Sequence, residues 1–502
     1  MTTMTQDRKD TTTIPQRVHL VGIGGVHMSA IAHILMTWGH TISGSDLRLS
    51  SFTDRLVTQG ATVHEGHNAA NVDDAGLVVI TSAATKDNPE ILEARRRGIP
   101  IIKRADMVAR LMEGHRSIAI AGTHGKTTTS ALVSFMLVEA GLSPTFLVGG
   151  DVVNLGTNAA AGEGEHVVVE ADEFDAAFLS YTPDIAIVTN IEPDHLDIYG
   201  SFEELVGAFA QFLKQVPRDG VIIACADDPT VADLLGRGKS EAVPLQTRNV
   251  ELYGLATPVD WVVSHLGKPS TGGREFLVGL HGRPYGEFRI ALPGRHNASN
   301  ALAAIAVGHH VGVPLDVMQR VLAEFRGAGR RFEFVGEAGG VTVMDDYAHH
   351  PTELRATVAA ARERFARRRL VGLFQPHTYS RTLYLLDEFR TCFKGLDVLL
   401  IADTYAAREP VAAGMSAEEL AREVTRPKAR FVATFDEAAA AVLDILKPGD
   451  VFFTLGAGDV NEVAPMVLEG LRKRASTGEG DHGDNRQGLA GRPATGRCGA
   501  AE

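Results

Sequence analysis

The stretch Ser117–Ser130, SIAIAGTHGKTTTS, decides how this chain folds. The apolar run Ile118–Ala121 leads straight into Gly122-Thr123-His124-Gly125-Lys126-Thr127-Thr128, and a helical pattern follows over Thr127–Ala140. A strand, a glycine turn and a helix N-terminus in that order point backbone N–H groups at an anion, and the helix dipole adds positive potential. Gly122 and Gly125 let the backbone approach phosphates closely. Lys126 can reach a terminal phosphate, and the Thr127 hydroxyl suits Mg²⁺. The strict eight-residue phosphate loop needs another glycine where this chain has Ile120, so the match is to the shortened form GxxGKT. The reading is an ATP site, with Thr123, His124 and Thr128 in the same cradle.

Outward from the loop, apolar runs alternate with helical patterns. Val18–Val21, Leu77–Ile80, Val167–Val169, Ile185–Val188, Val221–Ala224, Leu370–Phe374, Val398–Ile401 and Val451–Leu455 read as buried strands. Phe202–Val216, Ala298–Val311 and Glu437–Ile445 read as helices. Continuous apolar strands suit a parallel sheet covered on both faces, so the chain is α/β and βαβ throughout. A chain of 502 residues exceeds one ordinary core. Breaks near Glu113–Arg116 and at the Gly/Arg-rich Phe325–Glu333 predict units over 16–113, 114–327 and 328–474. Flexible tails are expected at 1–15 and 475–502, the latter Gly-rich and without periodicity.

An ATP–Mg²⁺ site needs acids at neighbouring strand ends. In HVVVEADEFDAAF (166–178), Glu170 ends an apolar strand, with Asp172, Glu173 and Asp175 just beyond. In IAIVTNIEPDHLD (185–197), Thr189-Asn190 end the next strand, and Asp194 and His195 follow. The alternative for Asp194 and His195 is simple capping of the helix near Phe202. Near the start, Gly22-Ile23-Gly24-Gly25 follows a strand, and Ser45-Asp46 comes one half-unit later, where an acid would meet a ribose. The third glycine of GxGxxG falls on His27, so this partial fingerprint fits a turn beside a diphosphate without naming the nucleotide. An NAD-dependent oxidoreductase is the rival it suggests, but that leaves GTHGKTTT without a purpose.

Composition narrows the classes further. A net charge of -13 argues against general nucleic-acid binding. Cys225, Cys392 and Cys498 make no disulfide framework, which fits a reducing, cytoplasmic setting. The first fifteen residues lack the apolar core of a secretory signal, and no apolar run is long enough for membrane insertion.

Taken in order, GIGG, ISGSD, TSA (81–83), GTHGKTTT, EADEFDAAF, NIEPDHLD, PGRHNASNALAA (293–304), RRFE (330–333), DDYAHHPTE (345–353), FQPHTYSRT (374–382) and GAGD (456–459) resemble the Mur ligases, with ISGSD and DDYAHHP pointing to the UDP-muramate branch. The resemblance implies three domains built on mainly parallel sheets: a Rossmann-like N-terminal domain, a P-loop ATPase-like central domain and a Rossmann-like C-terminal domain. It implies ATP as co-substrate with Mg²⁺, and UDP-N-acetylmuramate and L-alanine as the molecules joined, in a monomer or homodimer. Thr127, Glu170 and His195 are then the expected metal ligands, and Lys126, His195 and His349 the expected catalytic groups. His296, Asn297, Arg331 and Asp346 are expected on ATP. Gly22, Gly24, Gly25, Ser45, Asp46, Ser82, His349, His350 and Arg381 are expected on the substrates. This chain departs from the family pattern at His27, at Thr378, where an arginine is usual, and at Arg408.

Overall fold

The computed structural model describes residues 14–477, apart from 238–242, 246, 248, 257, 271–272, 408 and 411–413. Nearly all of the tail expected at 475–502, most of 1–15, and Arg408 therefore lie outside the described residues. The described chain forms three sheets.

The first sheet is wholly parallel. Its order is Thr62–Glu65, Thr41–Asp46, Arg17–Val21, Leu77–Ile80, Ile101–Lys103. The second runs from the hairpin strands Arg283–Ile290, Arg274–Leu280 and Trp261–Leu266 through Asn249–Gly254, Val221–Cys225 and Ile185–Val188 to Arg116–Ala121, then His166–Glu170, Thr145–Val152 and Thr157–Ala160. The third places Glu333–Ala338 antiparallel to Val341–Asp346, followed by the parallel strands Val451–Leu455, Leu370–Phe374, Val398–Ala402 and Ala429–Val432.

Every strand named from the sequence is present, and each expected helix lies within a few residues of its predicted range. The reading of βαβ throughout is corrected at three sheet edges. Antiparallel pairs occur at Trp261–Ile290, at Thr145–Ala160 and at Glu333–Asp346. The physical reason is solvent on one face: Arg274–Leu280 alternates buried and exposed residues, a half-buried strand rather than the continuous apolar run of a covered one.

Register positions the site. Arg116–Ala121 is paired in parallel on both sides, with Ala121 opposite Val188 and Ile120 opposite Glu170. Its lateral neighbours, His166–Glu170 on one side and Ile185–Val188 on the other, both come later in the chain. The carboxyl ends of all three strands open into one crevice, as expected of parallel strands.

The cores are not partitioned like the sheets. One continuous buried cluster joins Leu20, Ile31 and Leu35 of the first unit to Ala119, Leu147, Val169 and Phe178 of the second. The helix Val26–Thr37 lies on the strands Thr145–Val152 and Thr157–Ala160, where Asn158 Nδ2 donates to the Val26 carbonyl at 3.0 Å. The third sheet buries its two faces in clusters drawn from its own residues.

Candidate active site

The loop after Ala121 is held by its neighbours. Asn190 clamps the His124 peptide, its Oδ1 accepting from His124 N at 2.8 Å and its Nδ2 donating to His124 O at 3.0 Å. The Thr189 hydroxyl donates to the same carbonyl at 2.6 Å. Gly122 has φ +136°, and a Cβ there would sit 2.0 Å from Thr189 Oγ1, so only glycine fits. At Gly125, φ +84°, a Cβ would meet Asn300 Oδ1 at 2.7 Å. The helix Lys126–Glu139 starts here, its first amides facing the crevice.

Lys126 and Thr127 contact the acids that follow the strand His166–Glu170 or end it. Thr127 Oγ1 donates to Glu170 Oε1 at 2.7 Å, and the other Glu170 oxygen accepts the Gly149 amide. Lys126 Nζ donates to both Glu173 oxygens at 2.8 and 3.0 Å, and to the carbonyls of Gly122 (2.6 Å) and Thr123 (3.1 Å). Burial disfavours the ammonium, but Glu173, Asp172 and Glu170 outweigh it and hold Lys126 above its ordinary value. Burial pushes the Glu173 carboxyl up while Lys126 pulls against it.

His195 takes a left-handed backbone conformation, φ +53°, and starts a short helix, with its ring edge-on to Phe174. Its Nε2 is 3.7 Å from Asp194. The buried Asp194 also accepts from Arg381 Nε (3.0 Å) and Nη2 (2.7 Å), across from the third unit. Burial opposes ionisation of Asp194, yet Arg381 holds its carboxyl well below the usual range.

The third unit closes the crevice. Its lining combines Thr127, Thr128, Asn190, His296 and Asn297 with Arg331, Asp346 and Glu353. Burial brings the His296 imidazole down to about 4, so it is neutral. Asn297 Nδ2 donates to the Pro293 carbonyl at 2.7 Å. Asp346 accepts the amides of Phe332 and Ala348, both at 2.8 Å, and burial pushes its carboxyl up to about 6 despite Arg331. Arg331 stacks over the Tyr347 ring and reaches Glu353 at 3.4 Å. Burial holds His349 well below its ordinary value. Its Nδ1 faces the Tyr347 carbonyl at 3.1 Å and Glu353 at 3.2 Å, both acceptors, so Nδ1 carries the proton and Nε2 keeps its lone pair. His350 caps the helix Pro351–Arg364.

In the first unit, Gly22 N donates to the Ser45 carbonyl at 2.8 Å and Gly24 N to Asp46 Oδ2 at 2.9 Å. Gly25 is exposed at the start of the helix Val26–Thr37, and Ser82 lies half-buried after the strand Leu77–Ile80. Ser45 differs from its expected place on the ligand. Its hydroxyl is buried, donating to Glu90 at 2.6 Å beside His67 at 2.9 Å, so it supports the turn from beneath. His27 reaches Arg104 at 3.1 Å, and Arg104 reaches Asp172 at 3.1 Å, a link from this turn to the acids of the second unit. Thr378 starts a helix with φ +69°.

The sequence reading did not single out Glu192, Asn300, Glu353 or Glu90. Glu353 carried a usable signal: it is third after the cap His350, the capping-box position. Glu90 follows Asn88-Pro89, which reads only as a helix start.

Residues 17–116 match the model described as Mur ligase family, catalytic domain; residues 120–308 match the Mur ligase middle domain; and residues 330–458 match the Mur ligase, glutamate ligase domain. The chain is 47% identical over 456 residues to a UDP-N-acetylmuramate–L-alanine ligase of Anaeromyxobacter sp., covering 90% of this chain and 97% of that one. It is 44% identical over 462 residues to the enzyme of the same name from Geobacter sulfurreducens, covering 91% and 98%. The crystal structure of the UDP-N-acetylmuramate–alanine ligase of Thermotoga maritima superposes with TM-score 0.77 at 28% identity, over 92% of this chain and 99% of that one. With matches spanning all three sheets and nearly the full length of these relatives, the chain belongs to the Mur ligase family.

Proposed function

We propose that this chain is an ATP-dependent ligase that joins L-alanine to the lactyl carboxylate of UDP-N-acetylmuramate, in the cytoplasmic synthesis of peptidoglycan precursors. One observation carries the reading: three neighbouring strand ends bring the Lys126–Thr127 turn, Glu170 and Asn190 together, and Thr127 and Asn190 line a crevice that Arg331 and Asp346 close from the third unit.

The lactyl carboxylate attacks the γ-phosphorus, the bond to the bridging oxygen of ADP breaks, and an acyl phosphate results. The alanine amine then attacks the acyl carbon, the C–O bond breaks, and inorganic phosphate leaves. Lys126 and the loop amides stabilise the negative charge of the transferring phosphoryl group. The Thr127 hydroxyl and Glu170 carboxylate, 2.7 Å apart, form a hard-oxygen pair that would suit Mg²⁺, whereas His195, the third expected ligand, contacts Asp194 and Phe174 and would have to turn toward that pair to join. When bound, Mg²⁺ offsets the repulsion between the polyphosphate and the attacking carboxylate. His296 and Asn297 line the adenine side, and Arg331 and Asp346 close over the nucleotide. Gly22, Gly24, Gly25, Asp46 and Ser82 surround the UDP moiety, with Ser45 supporting their turn. His350 and Arg381 face the sugar and amino acid. His349, neutral and with a free Nε2 lone pair, is placed to take a proton from the incoming ammonium.

Phosphate release is measured with ATP, Mg²⁺ and UDP-N-acetylmuramate, adding each amino acid in turn. Release that depends on both the sugar and L-alanine is expected, and Lys126→Ala abolishes it while circular dichroism stays unchanged. Turnover retained in that variant overturns the assignment of the ATP site.

A further inference from the structure

The His124 side chain points away from the turn its backbone forms. Its Nδ1 is 3.3 Å from Glu353 of the third unit, and its Nε2 is 3.5 Å from Glu192 of the second. Two carboxylates on opposite sides of one imidazole repel each other unless the ring between them carries a proton on both nitrogens. Glu353 is itself a junction. It accepts the His349 amide at 3.1 Å and the His350 amide at 3.3 Å, and pairs with Arg331 at 3.4 Å.

We propose that His124, as an imidazolium, is a positioning residue that couples the phosphate loop to docking of the third unit, fixing Arg331 and His349 over the nucleotide. This rests on the ligase reading above. The His124 backbone is clamped by Thr189 and Asn190, so loop and side chain move together. A change in the loop on nucleotide binding is passed through the ring to Glu353, and from there to the amides of His349 and His350.

The groups around the ring fit this assignment. From the second unit Glu192 faces it; from the third come Glu353, with Arg331 behind it, and the His350 ring at 4.7 Å. Thr352 Oγ1 donates to Glu192 at 2.6 Å, a neutral second link between the same units. Burial opposes the charge on His124, but Glu192 and Glu353 prevail and push it up to about 9. His124, Glu192 and His350 lie within 4.8 Å of one another, a spacing open to a metal. However, His350 Nδ1 accepts the Thr352 amide at 3.3 Å, so its Nε2 bears the proton and has no lone pair to give.

The test uses the full chain, with His124→Gln and Glu353→Gln. For His124→Gln, kcat for L-alanine-dependent phosphate release falls roughly 100-fold, the scale of a misplaced reacting group. Its ATP affinity is measured without the other substrates, and the loss in kcat exceeds any loss in ATP affinity by about tenfold or more. In wild type kcat declines above about pH 9. In Glu353→Gln that limb moves to lower pH by about one unit or more as the imidazolium loses a partner. The His124 resonance, assigned by its loss in His124→Gln, is titrated by NMR with and without chelator. A value near 9 independent of chelator supports the proposal, and one near 6.5 overturns it. Wild-type kcat in His124→Gln, an alkaline limb unmoved in Glu353→Gln, or a parallel loss of ATP affinity also overturns it. Should wild type release no phosphate with L-alanine, the ligase reading fails, and the NMR titration still decides the state of His124.

Discussion

Glu173→Gln separates the charge that guards the phosphate cradle from the acids expected to hold metal. Lys126 is 15% exposed and Glu173 only 2%, so their contact is shielded from solvent. Glutamine keeps one acceptor near Nζ but removes the negative charge, and Lys126 retains the Gly122 and Thr123 carbonyls. The loss is then that of a charge-assisted hydrogen bond, about 1.5–3 kcal/mol, below the full cost of stranding a buried cation. In the ligand-free protein this lowers the melting temperature by about 2–5 °C. ATP binding responds in the opposite direction. A triphosphate must draw Lys126 from Glu173, and without that competitor even 1.4 kcal/mol of relief tightens binding about tenfold. Differential scanning fluorimetry across an ATP titration reads both effects. The variant melts earlier without nucleotide and converges on wild type at saturation, because the ligand restores the missing counter-charge. Weaker ATP binding in Glu173→Gln would refute the reasoning and make Glu173 part of the nucleotide site.

Four further outcomes are expected. Gly122→Ala places a methyl group 2.0 Å from Thr189 Oγ1 at a φ of +136°, so it destabilises by about 2 kcal/mol or more and weakens ATP binding; thermal melts and nucleotide titration check this. Raising the pH from 6.5 through 9 removes the stability that a raised His124 gives, about 3 kcal/mol, fully present below 6.5 and lost as the folded group deprotonates; denaturant melts show the decline in wild type and its attenuation in His124→Gln. Arg381→Met strands the buried Asp194 and costs about 3 kcal/mol in the link between second and third units, seen as an earlier melt and greater susceptibility to protease near residues 327–332. Chelating Mg²⁺ stops phosphate release, and Thr127→Val raises the Mg²⁺ concentration required, read from steady-state rates.

The parts of the site that were legible share a physical reason. Ile118–Ala121 is uninterrupted and apolar because the strand is covered on both faces, and the glycines after it are imposed by contacts that a Cβ would violate. Glu170 stood out because a carboxylate ending such a strand has little structural excuse. Glu192 stayed hidden because its partner Thr352 comes from another unit, and spacing along the chain carries no trace of a contact 160 residues away; for Glu353 the capping-box spacing showed the local role, and only its contact with His124 was invisible. Ser45 was misplaced for a related reason: GSD looks like a ligand-facing strand end, and only the fold shows Glu90 beneath it. The hairpins after Trp261 were missed because their outer face is solvated, which dilutes the apolar signal.

The buried cluster shared by the first two sheets has a mechanical consequence. The turn of Gly22 and the loop of Gly122 are tied together by one continuous buried cluster, so under the proposed ligase reading the spacing between the UDP and ATP sites is set before either ligand arrives. The remaining sheet fills its own interior and meets the first two largely through ion pairs and hydrogen bonds, joined by Phe325–Glu333. Heating should therefore release it first, as a separate cooperative step, while the paired sheets melt together at higher temperature.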